Sequence, residues 1–237
     1  MSNGESTSQI RELDAFRAYD RKAQGRVVRR GWRGVHERLV ASQRGYDYYQ
    51  GERRFGLGGY SDLGLWKPVA KDLAGLYNLN RHSRVLQIGC DFGYLLRDVV
   101  EVVPGIQVAG TEASTYALEQ VDPTLRYAIT KLDAPELPYA AKSFDLVICA
   151  GAVYTMNLDG ALKLLKEIQR VGRFQRYVVL ATYEDCHELE AFKEWTLLGQ
   201  TILRKDQWYQ LLELAGYEGD IYFTGAKSLG LTLEPDE

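Results

Sequence analysis

Arg84-Val85-Leu86-Gln87-Ile88-Gly89-Cys90-Asp91-Phe92-Gly93-Tyr94-Leu95 decides how this chain is read. A short apolar run meets glycines at 89 and 93 and continues into residues 94–102, whose apolar positions have helical spacing. A hydrophobic strand that breaks at a glycine-bearing turn and resumes as a helix is the first half of a βαβ unit. Backbone without side chains at Gly89 and Gly93 lets a ligand approach the carboxyl edge of the sheet, where open α/β sheets bind their ligands. Alone, the turn carries little weight.

Working outward, residues 107–111, 126–129, 144–149 and 177–182 read as strands, and 114–119 and 158–171 as helices. Residues 205–215 read as a helix stopped by Gly216, with a last strand over 221–224. Such alternation predicts parallel βαβ units in a doubly wound, mostly parallel sheet spanning residues 80–237. Residues 1–79 read as an N-terminal helical cap followed by a Gly/aromatic, substrate-covering segment. Within the cap, Leu13, Phe16, Tyr19, Val35 and Leu39 fall at helical spacings, interrupted by Gly25, Gly31 and Gly34. The run from Phe55 to Trp66 holds too many glycines for a regular element and reads as a loop lying against something, before a helix that Pro68 opens. The first eight residues, small and polar, are expected to be disordered.

A chain of 237 residues, 46% hydrophobic and 26% charged, suits one globular domain with a sizeable core. A net charge of -3 excludes the global field of a nucleic-acid or membrane-surface protein. The charge is uneven, however, because residues 1–54 hold 12 Lys/Arg against 7 Asp/Glu. That basic front suits either an anionic substrate or a solvated face paired with the acidic body. Cys90, Cys149 and Cys186 are widely spaced and read as reduced thiols, with neither a disulfide framework nor a metal site. No apolar run approaches the roughly 18 residues of a membrane span, and Met1 to Glu5 lack a basic-then-apolar leader. Cytoplasmic localisation without membrane association is the expectation.

Glu112 closes the next strand 19 residues beyond Gly93, placed to accept hydrogen bonds from both hydroxyls of a ribose. A third element, Leu132-Asp133-Ala134-Pro135-Glu136-Leu137-Pro138-Tyr139, is followed by Ser143-Phe144-Asp145-Leu146-Val147. In this order the three elements resemble the class I S-adenosylmethionine-dependent methyltransferase superfamily, in particular its small-molecule, type 11-like branch, over residues 80–224. The resemblance implies a Rossmann-like fold and S-adenosyl-L-methionine as cofactor. By position, Gly89, Cys90 and Gly93 would line the methionine part, Glu112 would hold the ribose, and Asp133 would meet the adenine amino group. Ala134 and Ala150 would sit beside the adenosine.

Two positions depart from the family. Gln87 stands where an acid is usual, and Asp91 where a second glycine often is. Gln87 still offers an amide oxygen to the cofactor, yet it cannot neutralise an ammonium. Weakened cofactor binding, or its loss in a non-catalytic relative, stays open. The Gly-aromatic run is also similar to one ahead of this domain in a less characterised bacterial branch, where Gly58, Gly59, Tyr60, Trp66, Trp195 and the tail 216–223 match. That branch looks like small-molecule modifiers, such as of sugars.

Methyl transfer from a sulfonium is an in-line displacement, so positioning dominates and a base is needed only where the acceptor holds a proton. Tyr154, just past 144–149, and Glu184 and His187, just past 177–182, are the candidate bases, with His187 titrating nearest neutrality. Arg53 and Arg54, whose guanidinium forks suit carboxylate or phosphate, and Trp66 are the candidate acceptor contacts. Tyr60, with Tyr46, Tyr48, Tyr49 and Trp66, either faces the cationic sulfonium or staples the cap to the core. A nicotinamide dehydrogenase is disfavoured because its fingerprint wants glycine at 91 and 94. An RNA methyltransferase would explain the basic front, though no RNA module accompanies it. A non-catalytic scaffold would explain Gln87 and Asp91 together. The leading expectation is methyl transfer to a small anionic metabolite, sugar-like or natural-product-like, with no nucleic-acid partner; oligomeric state is not legible.

Overall fold

The chain's computed structural model describes residues 10–19 and 26–234; the expected disorder of the first eight residues, the leader reading of Met1 to Glu5, and Gly25 lie outside these residues. In chain order the elements are β1 (Ile10–Glu12), β2 (Arg26–Val28), α1 (Val35–Ser42), α2 (Tyr46–Tyr49), α3 (Trp66–Leu76), β3 (Arg84–Ile88), α4 (Tyr94–Val102), β4 (Gln107–Glu112) and α5 (Thr115–Gln120). They continue as β5 (Ile129–Lys131), β6 (Phe144–Cys149), α6 (Ala152–Thr155), α7 (Leu158–Val171), β7 (Gly172–Ala181), α8 (Cys186–Trp195), α9 (Lys205–Ala215), β8 (Gly219–Thr224), α10 (Ala226–Leu229) and β9 (Leu231–Leu233).

Seven strands form one parallel sheet in the order β1-β8-β7-β6-β3-β4-β5. The central strands are apolar on both sides because helices cover both faces. Along β6, Leu146 and Ile148 face α3 and α4, where Val69, Leu73, Leu95 and Val99 pack. Val147 and Cys149 face the opposite layer of α7 and α9, with Leu164, Ile168, Trp208 and Leu212. The same alternation along β3 sends Val85 to the first layer and Leu86 and Ile88 to the second. Gln87 therefore sits on the α3–α4 side, at the carboxyl end of the sheet.

Residues 10–19 and 26–49 are less helical than their spacing predicts. Ile10–Glu12 is an edge strand of the main sheet, its Arg11 opposite Asp220 in the register and bonded to both carboxylate oxygens at 2.8 Å. Tyr77 donates to the same carboxylate at 2.8 Å, so one buried acid ties β1, β8 and the end of α3 together. Arg26–Val28 pairs in parallel with Leu231–Leu233 as a small second sheet against α8. These three-residue strands are fixed by partners roughly 200 positions away, and local periodicity cannot show them. The strand expected over 126–129 starts instead at Ile129, because Asp122 caps a 3-10 turn over Pro123–Leu125.

Part of the basic front pairs with the body: Arg11 with Asp220, Arg17 with Asp72, Arg29 with Glu234 and Arg30 with Glu190, while Arg54 pairs with Glu52 of the front itself. Cys90 and Cys149 are buried free thiols and Cys186 is an exposed one. Among the described residues no helix is long and apolar enough to cross a membrane, and no cluster of His, Cys, Asp or Glu suits a metal ion.

Candidate active site

The sheet order reverses between β3 and β6, so the chain leaves these adjacent strands in opposite directions and opens a crevice at their carboxyl ends. The turn after β3 is built for close approach. Gly89 and Gly93 have φ of 69° and 78°, and between them Asp91 has φ of 49°, a left-handed conformation uncommon outside glycine. The turn is anchored to β4 by Glu112, which is 1% exposed. Its Oε2 accepts from the Asp91 amide and its Oε1 from the Ser114 amide, each at 2.8 Å. A carboxylate has about four acceptor sites, so these two bonds leave lone pairs for a ligand.

Two cavities meet over this turn. The smaller, of about 320 Å³, is lined by Gln87, Gly89, Cys90, Asp91 and Ala150, by Tyr48, Tyr60 and Trp66, and by Arg33, Arg44 and Arg53. The larger, of about 700 Å³, is lined by Ile88, Thr111, Ala113, Leu132, Asp133, Ala134 and Asn157 among others. Gly89, Glu112, Ala152, Thr155 and Arg44 belong to both, so they form one continuous groove with Glu112 at its waist. The segment after α8 roofs it, with Leu197 and Leu198 in both linings and the amides of Gln200 and Thr201 donating to the Tyr154 carbonyl at 2.9 and 3.0 Å.

Residues 85–173 match the family model of a methyltransferase domain, and this span contains the strand, the glycine turn, Glu112, Asp133 and β6. Over these residues the chain therefore resembles a methyltransferase domain. Solved structures share its fold. A chain from the complex of the Haloferax volcanii Trm112 methyltransferase activator with its methyltransferase candidate aligns at TM-score 0.51 and 18% identity, covering 78% of this chain and 74% of that one. A candidate methyltransferase of Bacillus halodurans C-125 aligns at 0.51 and 18%, covering 62% and 68%. The [4+2]-cyclase SpnF aligns at 0.51 and 19%, covering 81% and 73%. Among curated proteins none matches.

The groove brings together most of the residues singled out in the sequence. Tyr60, Trp66, Gln87, Gly89, Cys90, Glu112, Ala150, Arg53 and Tyr154 line the smaller cavity, and Gly89, Glu112, Asp133 and Ala134 the larger. Four candidates fall elsewhere. Gly93 lines neither cavity; it caps α4, and a Cβ there would meet Ile129 and Leu125 side-chain atoms at 3.3 Å, so its task is packing toward β5. Arg54 lies at the surface, stacked on Phe55 and paired with Glu52 and Glu37. Glu184 pairs with Lys227 on α10, and His187 lies beside a separate groove with Arg30 and Glu188. Both follow β7 where the chain turns toward β8 (Thr182 N to Thr224 O, 2.8 Å), and only the far end of α8 returns to the cavity.

Tyr154 stays in the cavity but is a poor base, since burial above all pushes its hydroxyl up to about 12. The contacts that sequence reasoning missed are Arg33 and Arg44. Arg33 is 6% exposed, bonded to the carbonyls of Trp195 and Arg53, with its Nε lacking a partner. Burial first, then Arg53 and Arg38, push its guanidinium down to about 10; burial likewise lowers Arg53. None of Arg33, which is buried, Arg44, which is half-buried, and Arg53, which is exposed, forms an ion pair among the described residues. Nothing in the local pattern of Arg33 distinguishes it from the solvated arginines beside it.

Proposed function

We propose that this chain binds S-adenosylmethionine along the groove and transfers its methyl group to a small anionic acceptor seated in the smaller cavity. The observation that carries the reading is the shared waist, since one buried carboxylate, Glu112, faces both cavities beside a glycine turn open to a ligand backbone. Asp133 and Ala134 lie where an adenine would rest, and Gly89, Cys90 and Ala150 flank the way from there into the smaller cavity. Bound there, the cofactor would supply an activated sulfonium methyl and leave as the neutral thioether S-adenosylhomocysteine. The protein's share is orientation and exclusion of water, through Tyr48, Tyr60, Trp66 and the Leu197–Leu198 roof.

The acceptor's charge is argued from the three arginines. A buried guanidinium without a counter-ion is unfavourable, and an anion bonded to its fork offsets that cost. Arg33, the buried one of the three, with half-buried Arg44 at the waist and exposed Arg53 at the edge of the same wall, therefore favours a carboxylate or phosphate ester. Thermal melts of the protein saturated with S-adenosylhomocysteine, run against a panel of small carboxylates and phosphate monoesters, test this. Stabilisation by members of the panel that disappears in Arg53→Ala and persists in Arg54→Ala is the expected result; equal responses in the two variants would remove the anion from the reading.

A further inference from the structure

We propose that Asp91 and the amide oxygen of Gln87 together form a binding site for a primary ammonium group, the α-amino group of the cofactor, so that the glycine turn supplies the negative charge residue 87 lacks. This rests on the S-adenosylmethionine reading above and adds a residue to it.

Both side chains line the smaller cavity, beside Gly89 and Cys90. Gln87 Oε1 is buried with no hydrogen-bond partner, a rare state for a buried acceptor and one that a ligand donor would relieve. Asp91 sits at φ 49°, a conformation that Asp and Asn tolerate better than other side chains, and it aims an acid where a glycine would leave space. Tyr49 Oη donates to its Oδ1 at 2.8 Å and fixes the carboxylate, while Oδ2 has no protein donor among the described residues. No Lys or Arg of the described residues lies within ion-pair distance of it, and Arg44 of the same lining acts on it only from further away. An ammonium has three donors and no acceptor, which suits two converging acceptor oxygens. The place is also right. The Asp91 amide is bonded to Glu112, so a ribose held at Glu112 directs the rest of its ligand past Gly89 toward Asp91.

The surroundings of Asp91 agree. Its carboxyl is pushed up to about 7, chiefly by burial and then by Glu112 on β4, against the opposing effects of the Tyr49 hydroxyl and Arg44. The other titratable groups close by are Tyr48 on α2, Tyr60 on the Gly-aromatic segment and Cys90 on the turn itself, each held well above its ordinary range or raised by the same acids. A cation is the ligand such a negative, desolvated corner favours.

Dissociation constants of S-adenosylhomocysteine and of 5′-methylthioadenosine, which lacks the amino-acid end, separate this role from a structural one. They are measured by calorimetry on the wild type, D91N and the double variant D91N/Q87E. D91N keeps a side chain that tolerates the backbone angle and still accepts from Tyr49. It is expected to weaken S-adenosylhomocysteine by about ten- to a hundredfold and leave methylthioadenosine within about twofold, with Q87E restoring much of the loss. Equal weakening of both ligands, or an unchanged S-adenosylhomocysteine constant, would overturn the assignment. A wild type that binds methylthioadenosine as tightly as S-adenosylhomocysteine overturns the ammonium site and leaves the adenosine reading standing. One that binds neither overturns both.

Discussion

The Asp91 amide donates to Glu112 Oε2 at 2.8 Å, so one buried carboxylate locks the turn after β3 to the end of β4. Glu112 thus does two things that substitution can separate. Glu112→Ala orphans the Asp91 and Ser114 amides, and each should lower unfolding free energy by about 1–3 kcal/mol. Glu112→Gln keeps one acceptor oxygen, so one of the two amides stays bonded while the other faces the new NH2 group, and it gives up the charge proposed to face the ribose. Urea unfolding and calorimetry on the pair should show affinity for S-adenosylhomocysteine falling by about 1.5–3 kcal/mol in both variants, with a stability loss in alanine that exceeds the one in glutamine. A folded Gln variant with an unaltered constant removes Glu112 from the ribose.

Asp91 makes the apo protein sensitive to pH. Its folded carboxyl titrates at about 7 against an ordinary 3.8, so the group favours the folded state fully below the ordinary value and loses that contribution as pH rises through about 7. From about pH 4 to about pH 8 the wild type should therefore lose stability relative to D91N, read as the difference between their melting temperatures. Binding of an ammonium favours the ionised form, so S-adenosylhomocysteine should release a proton near neutrality and bind more tightly as pH rises. Titrations in buffers of different ionisation heat detect the proton. Binding heats that do not depend on the buffer would contradict it.

His187 and Glu184 line neither cavity of the groove. His187→Ala and Glu184→Ala are expected to change cofactor affinity and turnover by less than about twofold, the usual range for surface substitutions. Tyr154→Phe should remove a cavity-lining hydroxyl without shifting any pH dependence near neutrality, because that hydroxyl titrates at about 12. A loss of turnover in His187→Ala would mean that the chain around α8 rearranges during catalysis.

The Gly-aromatic run lies on α2: the Leu57 and Gly59 amides donate to the Tyr48 and Tyr49 carbonyls at 2.7 and 3.1 Å, and Gln50 holds the Tyr60 backbone. Tyr60 and Trp66 nevertheless line the cavity, and Gly58 and Gly59 have positive φ of 69° and 102°. Amide exchange across residues 55–66 should slow when S-adenosylhomocysteine binds, as those turns close on it. Equal exchange with and without ligand returns the run to a permanent wall.

What was legible in the sequence follows from the range of the forces involved. β3, α4, β6, α7 and α9 have the bounds their periodicity predicts, because each is defined by its own apolar face and by a local stop such as Gly216. Gly89 and Glu112 are legible as residues at strand ends, Asp133 is singled out only by the resemblance, and all three line the groove. The Tyr49–Asp91 bond joins residues 42 apart, and the buried state of Arg33 depends on carbonyls at Trp195 and Arg53. Such pairings arise only on packing, which is why Arg54 looked as good a candidate as Arg53 and why β1 was read as helix.

The most direct test of the account is a calorimetric titration of the wild-type protein with S-adenosylhomocysteine at about pH 8, where Asp91 is ionised. The account predicts one molecule bound per chain, with a constant weakened at least about tenfold by Glu112→Gln. No detectable binding at ligand concentrations up to about a millimolar, a free energy weaker than about -4 kcal/mol, would contradict it.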